Sequence, residues 1–279
     1  MKVVRDAATL RDLVREARAS GSTVAFVPTM GALHEGHLSL VRLARRECPY
    51  VVVSIFVNPL QFAPGEDLAR YPRREAEDLA ALEREGVDVV YLPEAGDLYP
   101  AGFSTAVEVG GVSEGGEGAA RPGHFRGVAT VVAKLFLQVA PDVAVFGQKD
   151  LQQLAVVRRM IRDLDFPIRL VAGETVREPD GLAMSSRNAY LSPEERRLAA
   201  AFPRALAEAR DEVLRGERDA EALTRAVRHR LTGAGLAVDY VDVIDPDTMS
   251  PLRDAAPGSF LAAAVRVGKT RLIDNVRLP

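Results

Sequence analysis

Residues 26–37, Phe-Val-Pro-Thr-Met-Gly-Ala-Leu-His-Glu-Gly-His, constrain the fold more than any other stretch of the chain. A β-rich run over 23–27 enters a turn containing Pro28 and Gly31, and leaves it as an apolar helical pattern through Leu38, Val41, Leu43 and Ala44. The same hand-over from strand to helix recurs downstream. Residues 50–57 form a continuous β-branched run, the pattern of a strand buried on both faces, and Asn58-Pro59 ends it. Shorter strands are predicted over 87–92, 143–146 and 168–171, with helices over 9–19, 37–47, 74–85, 125–139 and 150–163. The first helix has a Thr9-x-x-Asp12 start that resembles a capping box. Near-continuous apolar strands alternating with helices predict a parallel sheet with helices on both faces, a Rossmann-like α/β domain.

Beyond residue 176 the texture changes. Charged helices over 193–215 and 218–231 precede strands over 238–244, 260–267 and 271–276, the last two joined at Gly268-Lys269. This reads as a smaller α+β domain, so the expected division is 1–175 and 176–279. The glycine- and glutamate-rich stretch 110–118 reads as a mobile surface loop. A length of 279 residues suits two unequal domains. A net charge of −3 argues against a general grip on nucleic acid. The single cysteine, Cys48, excludes an internal disulfide and any multi-cysteine metal site. The N-terminus is charged within five residues and has no apolar core of a secretory signal. The most apolar stretch, 128–139, contains Lys134 and falls short of the ~20 residues that span a bilayer. A cytoplasmic protein without membrane contact is expected.

In open α/β sheets ligands bind beyond the carboxyl ends of strands, and polar residues gather at those ends here. His34 and His37 follow the first strand beside Gly36, where a helix N-terminus offers unpaired N–H groups suited to a phosphate. Asn58 and Gln61 follow the next strand. Gln148, Lys149, Asp150 and Gln153 follow another, and Lys149 is one of only four lysines in an arginine-rich chain. Met184-Ser185-Ser186-Arg187-Asn188 lies past the last strand of the first domain. Each cluster alone has a bland explanation; their shared placement points to one composite site. Imidazoles, a lysine, an arginine and two hydroxyls can surround a triphosphate and stabilise charge at the α-phosphorus. The neutral Asn and Gln amides suit hydroxyl and carboxylate groups of a small polar substrate. No nucleophile–base pair appears, which argues against a covalent hydrolase. His124 and His229 add no tight cluster to His34 and His37, so no metal ligands are assigned. Val267-Gly268-Lys269-Thr270 resembles the end of a P-loop, but position 263 is alanine and the flanking alternation makes it a hairpin turn.

The His34-x-Gly36-His37 spacing is similar to the H-x-G-H signature of nucleotidylyltransferases and class I aminoacyl-tRNA synthetases. Five blocks in order narrow this further: Pro28 to His37, Phe56 to Phe62, Arg121-Pro-Gly-His-Phe-Arg-Gly-Val128, Phe146 to Gln153, and Met184 to Asn188. With them the chain resembles the pantoate–β-alanine ligase family over essentially its full length. The resemblance implies ATP-dependent condensation of pantoate with β-alanine through a pantoyl-adenylate, with release of pyrophosphate and AMP. It implies catalytic roles for His34, His37 and Lys149 at the ATP phosphates. The ATP site would also include Met30, Gly36, Gly147, Asp150, Val176, Met184, Ser185, Ser186 and Arg187. Pantoate would be gripped by Gln61 and Gln153, with Met30 and Asn58 beside it, and Tyr71 and Arg121 in supporting positions. Mg2+ would accompany ATP, the family is a homodimer, and the small domain would close as a lid. The alternative is an H-x-G-H nucleotidylyltransferase acting on another small acceptor; a non-catalytic nucleotide-binding regulator on the same fold is a third reading.

Overall fold

The apolar runs assemble as a parallel sheet in the computed structural model, which describes residues 1–279. In chain order the elements are β1 (Lys2–Val4), α1 (Ala7–Ala19), β2 (Val24–Thr29), α2 (Glu35–Glu47), β3 (Tyr50–Ile55), α3 (Glu75–Arg84), β4 (Val89–Tyr91), α4 (Ala95–Leu98) and α5 (Gly116–Ala120). There follow α6 (His124–Val139), β5 (Val143–Gly147), α7 (Leu151–Asp163), β6 (Arg169–Gly173), α8 (Pro193–Ala199), α9 (Ala201–Leu214), α10 (Ala220–Gly233), β7 (Ala237–Ile244), β8 (Phe260–Val267) and β9 (Thr270–Arg277). The chain divides into two compact units. The first comprises Met1–Gly110, Arg121–Gln148 and Val156–Glu174; the second comprises Gly111–Ala120, Lys149–Ala155 and Thr175–Pro279.

The first unit holds six parallel strands in the order β1-β4-β3-β2-β5-β6. Burial on both faces explains the unbroken apolar runs: Val24, Ala25, Phe26 and Val27 of β2 are all buried. On one face Ala25, Val27, Val51, Val53, Val143 and Val145 pack with Leu40, Val41 and Ala44 of α2 and Leu82 of α3. On the other, Phe26 meets Phe136 of α6 edge to face at 6.4 Å, and α1 packs against α6. A Cβ at Gly173 would lie 2.2 Å from a Leu40 methyl, so α2 crosses the end of β6 closely and any larger residue there would displace the Leu40 side chain. Strand order reverses between β2 and β5, and such a switch point opens a crevice at the strands' carboxyl ends.

Three local expectations are corrected. Helix α1 is capped by Asp6, whose carboxylate accepts the Thr9 N–H at 2.8 Å, and Asp12 instead pairs with Arg15. Strand β1 is additional to the expected strands, because a three-residue edge strand paired only with β4 is too short to carry a pattern. The helix expected over 193–215 is two helices that meet at Ala200. Pro203 lacks the N–H that a continuous helix would donate to Ala199, so it is accommodated in the first turn of a new one.

In the second unit β7, β8 and β9 form an antiparallel sheet. One face buries Val241, Val243, Leu261 and Val265 against Phe202, Leu206, Leu223 and Val227 of α9 and α10. The opposite face packs Ile244, Phe260 and Ala262 on Leu151. Gly268 takes a φ of +57° in the two-residue turn closed by the Val267–Thr270 pair, which disposes of the P-loop resemblance.

The stretch expected to be a mobile loop is folded. Its Glu117, in α5, is buried and accepts from Arg271 at 2.7 Å and from Tyr240 at 3.1 Å. The Gln152 amide donates to the Val112 and Gly115 carbonyls and accepts the Glu117 N–H. Glycine richness here reflects tight turning around that amide: Gly116 has a φ of +49°, and a Cβ on it would lie 3.1 Å from Gln152.

A second buried charge sits in β9. The Asp274 side chain is fully buried and receives two Arg177 bonds, at 2.7 and 3.0 Å. Burial pushes its carboxyl up, and the guanidinium is what supports the charge. Replacing Arg177 with methionine strands that carboxylate and is expected to cost about 3–5 kcal/mol in urea unfolding; an unchanged midpoint would contradict the pairing.

Candidate active site

The turn between β2 and α2 is held from outside itself. Gly31 and Ala32 adopt φ of +80° and +51°, which points the next N–H groups toward α3. There Asp78 accepts the Ala32 N–H through Oδ2 and the Leu33 N–H through Oδ1, both at 2.8 Å. A Cβ at Gly31 would lie 2.9 Å from Ile55 and 3.0 Å from Asp78, so only glycine fits. Thr29 adds a bond from its hydroxyl to the Ser54 carbonyl and accepts the Gly31 N–H.

This turn delivers His34 as the N-cap of α2 and His37 three residues on, with ring centroids 4.1 Å apart. The His34 N–H donates to His37 Nδ1 at 3.4 Å. An accepting Nδ1 puts the neutral ring's proton on Nε2, which makes that edge of His37 a donor. The two imidazoles sit together at a helix N-terminus, whose partial positive charge suits anionic oxygen. Met30 and Gly147 lie at the carboxyl ends of β2 and β5, on either side of the switch point.

Asn58 is bonded on every side. It is 1% exposed, and all four hydrogen-bonding positions of its amide are filled. Its Oδ1 accepts the Leu60 N–H at 3.2 Å and the Tyr99 hydroxyl at 2.8 Å. Its Nδ2 donates to the Gly127 carbonyl at 3.1 Å and to Gln61 Oε1 at 3.0 Å. So bonded, Asn58 holds Gln61 in place. Gln61 Nε2 then lies 3.0 Å from the Met30 sulfur. The close approach needs Gly127, because a Cβ there would fall 2.1 Å from the Leu60 carbonyl oxygen.

Arg121 and Tyr71 also act on this turn. Arg121 makes two bonds of 2.7 Å to Glu66, donates to the Gln61 carbonyl, and lies 3.1 Å from His124 Nε2. A guanidinium can only donate, so His124 Nε2 accepts and its Nδ1–H donates to the same Gln61 carbonyl at 2.8 Å. Against the burial that would raise it, Arg121 holds the Glu66 carboxyl below its ordinary value, so the clamp persists into acid. Tyr71 is buried and packs edge-on against Phe62 at 5.9 Å.

The second unit carries its own polar set. Lys149 is mostly buried, lies 3.8 Å from Asp150, and has its carbonyl held by Asn275 at 3.0 Å. Gln152 is committed to the 111–120 segment, whereas Gln153 is only half-buried. Met184-Ser185-Ser186-Arg187 caps a short hairpin closed by the Arg177–Ala183 bridge and by the Met184 N–H on the Val176 carbonyl at 2.9 Å. Ser185 caps the following turn through the Arg187 N–H. Asn188 anchors its far end on Glu178 and the Ala183 carbonyl, and Arg196 grips both Glu178 and Asp180.

Sequence reasoning missed Asp78, Tyr99, Glu66 and Glu178. The available signal was weak: Asp78 precedes Leu82 by one helical turn, on the inward face of an otherwise charged helix. Asp78→Asn keeps one acceptor but turns an NH2 toward the other backbone N–H. It is expected to cost about 1.5–3 kcal/mol and to shift the His34 and His37 ring resonances with helix content unchanged. Unmoved resonances would remove Asp78 from the support of that pair.

Known proteins match the chain over nearly its whole length. The Pantoate-beta-alanine ligase family matches the chain over residues 2–277. The pantothenate synthetase of Sphingopyxis alaskensis is 54% identical over 276 residues, 99% of each chain. The crystal structure of the Thermus thermophilus pantothenate synthetase superposes with a TM-score of 0.95 at 49% identity, covering 100% of both chains. That of the Francisella tularensis pantoate–β-alanine ligase, complexed with β-γ ATP and β-alanine, gives a TM-score of 0.83 at 31% identity, over 99% of this chain and 97% of that one. The chain belongs to the pantoate–β-alanine ligase family.

Proposed function

We propose that the protein condenses pantoate with β-alanine at the expense of ATP, as an AMP-forming ligase working through a pantoyl-adenylate. The observation that carries this reading is the pair His34 and His37 at the start of α2, beside the switch point of a parallel sheet. It is a donor surface without a paired nucleophile and base. A pantoate carboxylate is ionised at neutral pH and needs no base to attack the α-phosphorus. His34 and the Nε2 edge of His37 stabilise charge on the α-phosphoryl oxygens as pyrophosphate leaves. Lys149, Ser185, Ser186 and Arg187 hold phosphate oxygens, with Gly36, Gly147, Asp150, Val176 and Met184 completing the nucleotide contacts. Gln61 and Gln153 hold pantoate, with Met30 at its side.

The second step follows from the first. The neutral β-alanine amine attacks the acyl carbon, the C–N bond forms as the nitrogen loses a proton to solvent, and the bond from that carbon to the bridging oxygen breaks, so AMP departs with the oxygen. An activated carbonyl asks the protein for position rather than for strong base catalysis. Magnesium enters as part of the MgATP substrate; no three His, Cys, Asp or Glu side chains converge into a metal cage of the chain's own.

We also infer a cytoplasmic homodimer. No helix is long and apolar enough to cross a membrane. The homodimer is what the family resemblance implies.

A nucleotidylyltransferase acting on another acceptor would stop at pyrophosphate. Incubation with ATP, pantoate and β-alanine is therefore expected to give AMP, pyrophosphate and the amide in equal amounts. His34→Ala and Lys149→Ala should each lose adenylate formation by several orders of magnitude while remaining folded by circular dichroism. Pyrophosphate without amide would overturn the ligase reading, and near-normal rates in both variants would overturn the roles.

A further inference from the structure

We propose that Tyr99 is a positioning residue for pantoate: its hydroxyl locks Asn58, and Asn58 in turn fixes the Gln61 amide with its NH2 end toward the substrate. The inference rests on the reading of Gln61 as a pantoate contact. Its physical content is the polarity of one amide. Asn58 cannot flip, because a backbone N–H from Leu60 faces its oxygen and the Gly127 carbonyl faces its nitrogen. With Nδ2 donating to Gln61 Oε1, the Gln61 amide is oriented too, and Nε2 is the end on the Met30 side. The group that pantoate offers to Gln61 must then be an acceptor, a carboxylate or hydroxyl oxygen.

Tyr99 supplies the last of the four bonds, at 2.8 Å, and it reaches Asn58 from a segment outside the sheet. Phe56 and Phe103 flank its ring at centroid distances of 6.2 and 5.1 Å, which fixes the hydroxyl's approach. Burial also pushes the phenol's ionisation above its ordinary range, so it stays a donor at working pH. Without this hydroxyl, one lone pair of a fully enclosed amide oxygen goes unmatched. Asn58 can recover that loss only by moving, and Gln61 moves with it. Tyr99 itself touches no reacting atom.

The test is Tyr99→Phe, alone and combined with Gln61→Ala, with Tyr91→Phe as control. Tyr91 is also buried, and its hydroxyl has no hydrogen-bond partner. Pantoate-dependent AMP formation by the wild-type enzyme establishes the underlying reading first; its absence would overturn that reading rather than the relay. Tyr99→Phe is expected to lower kcat/KM for pantoate about 10-fold through KM, with the KM for ATP little changed; the thermal midpoint falls as for any lost buried hydrogen bond and is not the discriminating readout. In the Gln61→Ala background the same substitution should have no further effect, because Tyr99 acts only through Gln61. Tyr91→Phe should leave the KM for pantoate as it was. An unchanged pantoate KM, an equal loss in both backgrounds, or a loss shared by the two tyrosine variants would each overturn the proposal.

Discussion

Two hydrogen bonds from the backbone N–H groups of Ala32 and Leu33 to Asp78 set the geometry on which the first unit's site depends. A chain leaving a parallel strand must reverse before it can enter a helix. Here it does so through two successive residues with positive φ, one of them the alanine Ala32. That conformation is costly for any residue with a Cβ and persists only when its surroundings hold it. Charge-assisted bonds to a buried carboxylate are strong enough to do so. The consequence is a helix that starts at His34 and brings the His37 ring to 4.1 Å from the His34 ring at its N-terminus.

Charge and neutrality are divided with some care in this unit. Charged groups serve as fasteners placed behind the functional side chains: Asp78 behind the histidine turn, and Glu66 with Arg121 behind the Gln61 turn. The groups proposed to meet ligand are the Nε2 edge of His37 and the Gln61 amide. This arrangement suits a reaction whose substrates already carry the charge. A carboxylate nucleophile and a triphosphate gain from oriented dipoles that need no reorganisation, and a nearby fixed carboxylate would repel both.

The sequence carried much of the fold because burial on both faces leaves an unmistakable trace. The runs over 24–27 and 51–53 are apolar at every position, since every position is buried. The Gly268 turn was equally legible, because alternation on both sides defined the hairpin. Charged supports were harder to see. Asp78 stands among Glu75 and Glu77 on a helix that reads as solvated, and its burial depends on contacts 45 residues away. Glu117 is similarly masked by glycines that would ordinarily mark a loop, and its partners Arg271 and Tyr240 lie more than 120 residues on. Asn58 stands out in the sequence by its place at a strand end, and its residue type points to a substrate contact. Only the structure reveals that all its bonds are internal.

The central claim is that this donor surface assists attack of a pantoate carboxylate oxygen on the α-phosphorus of ATP. Pantoate labelled with 18O in its carboxylate tests it most directly. If that oxygen bridges carbon and phosphorus in the intermediate, amide formation leaves it on the nucleotide. Mass spectrometry should then find one 18O atom in each AMP released. Unlabelled AMP, or ADP formed together with labelled phosphate, would contradict the account.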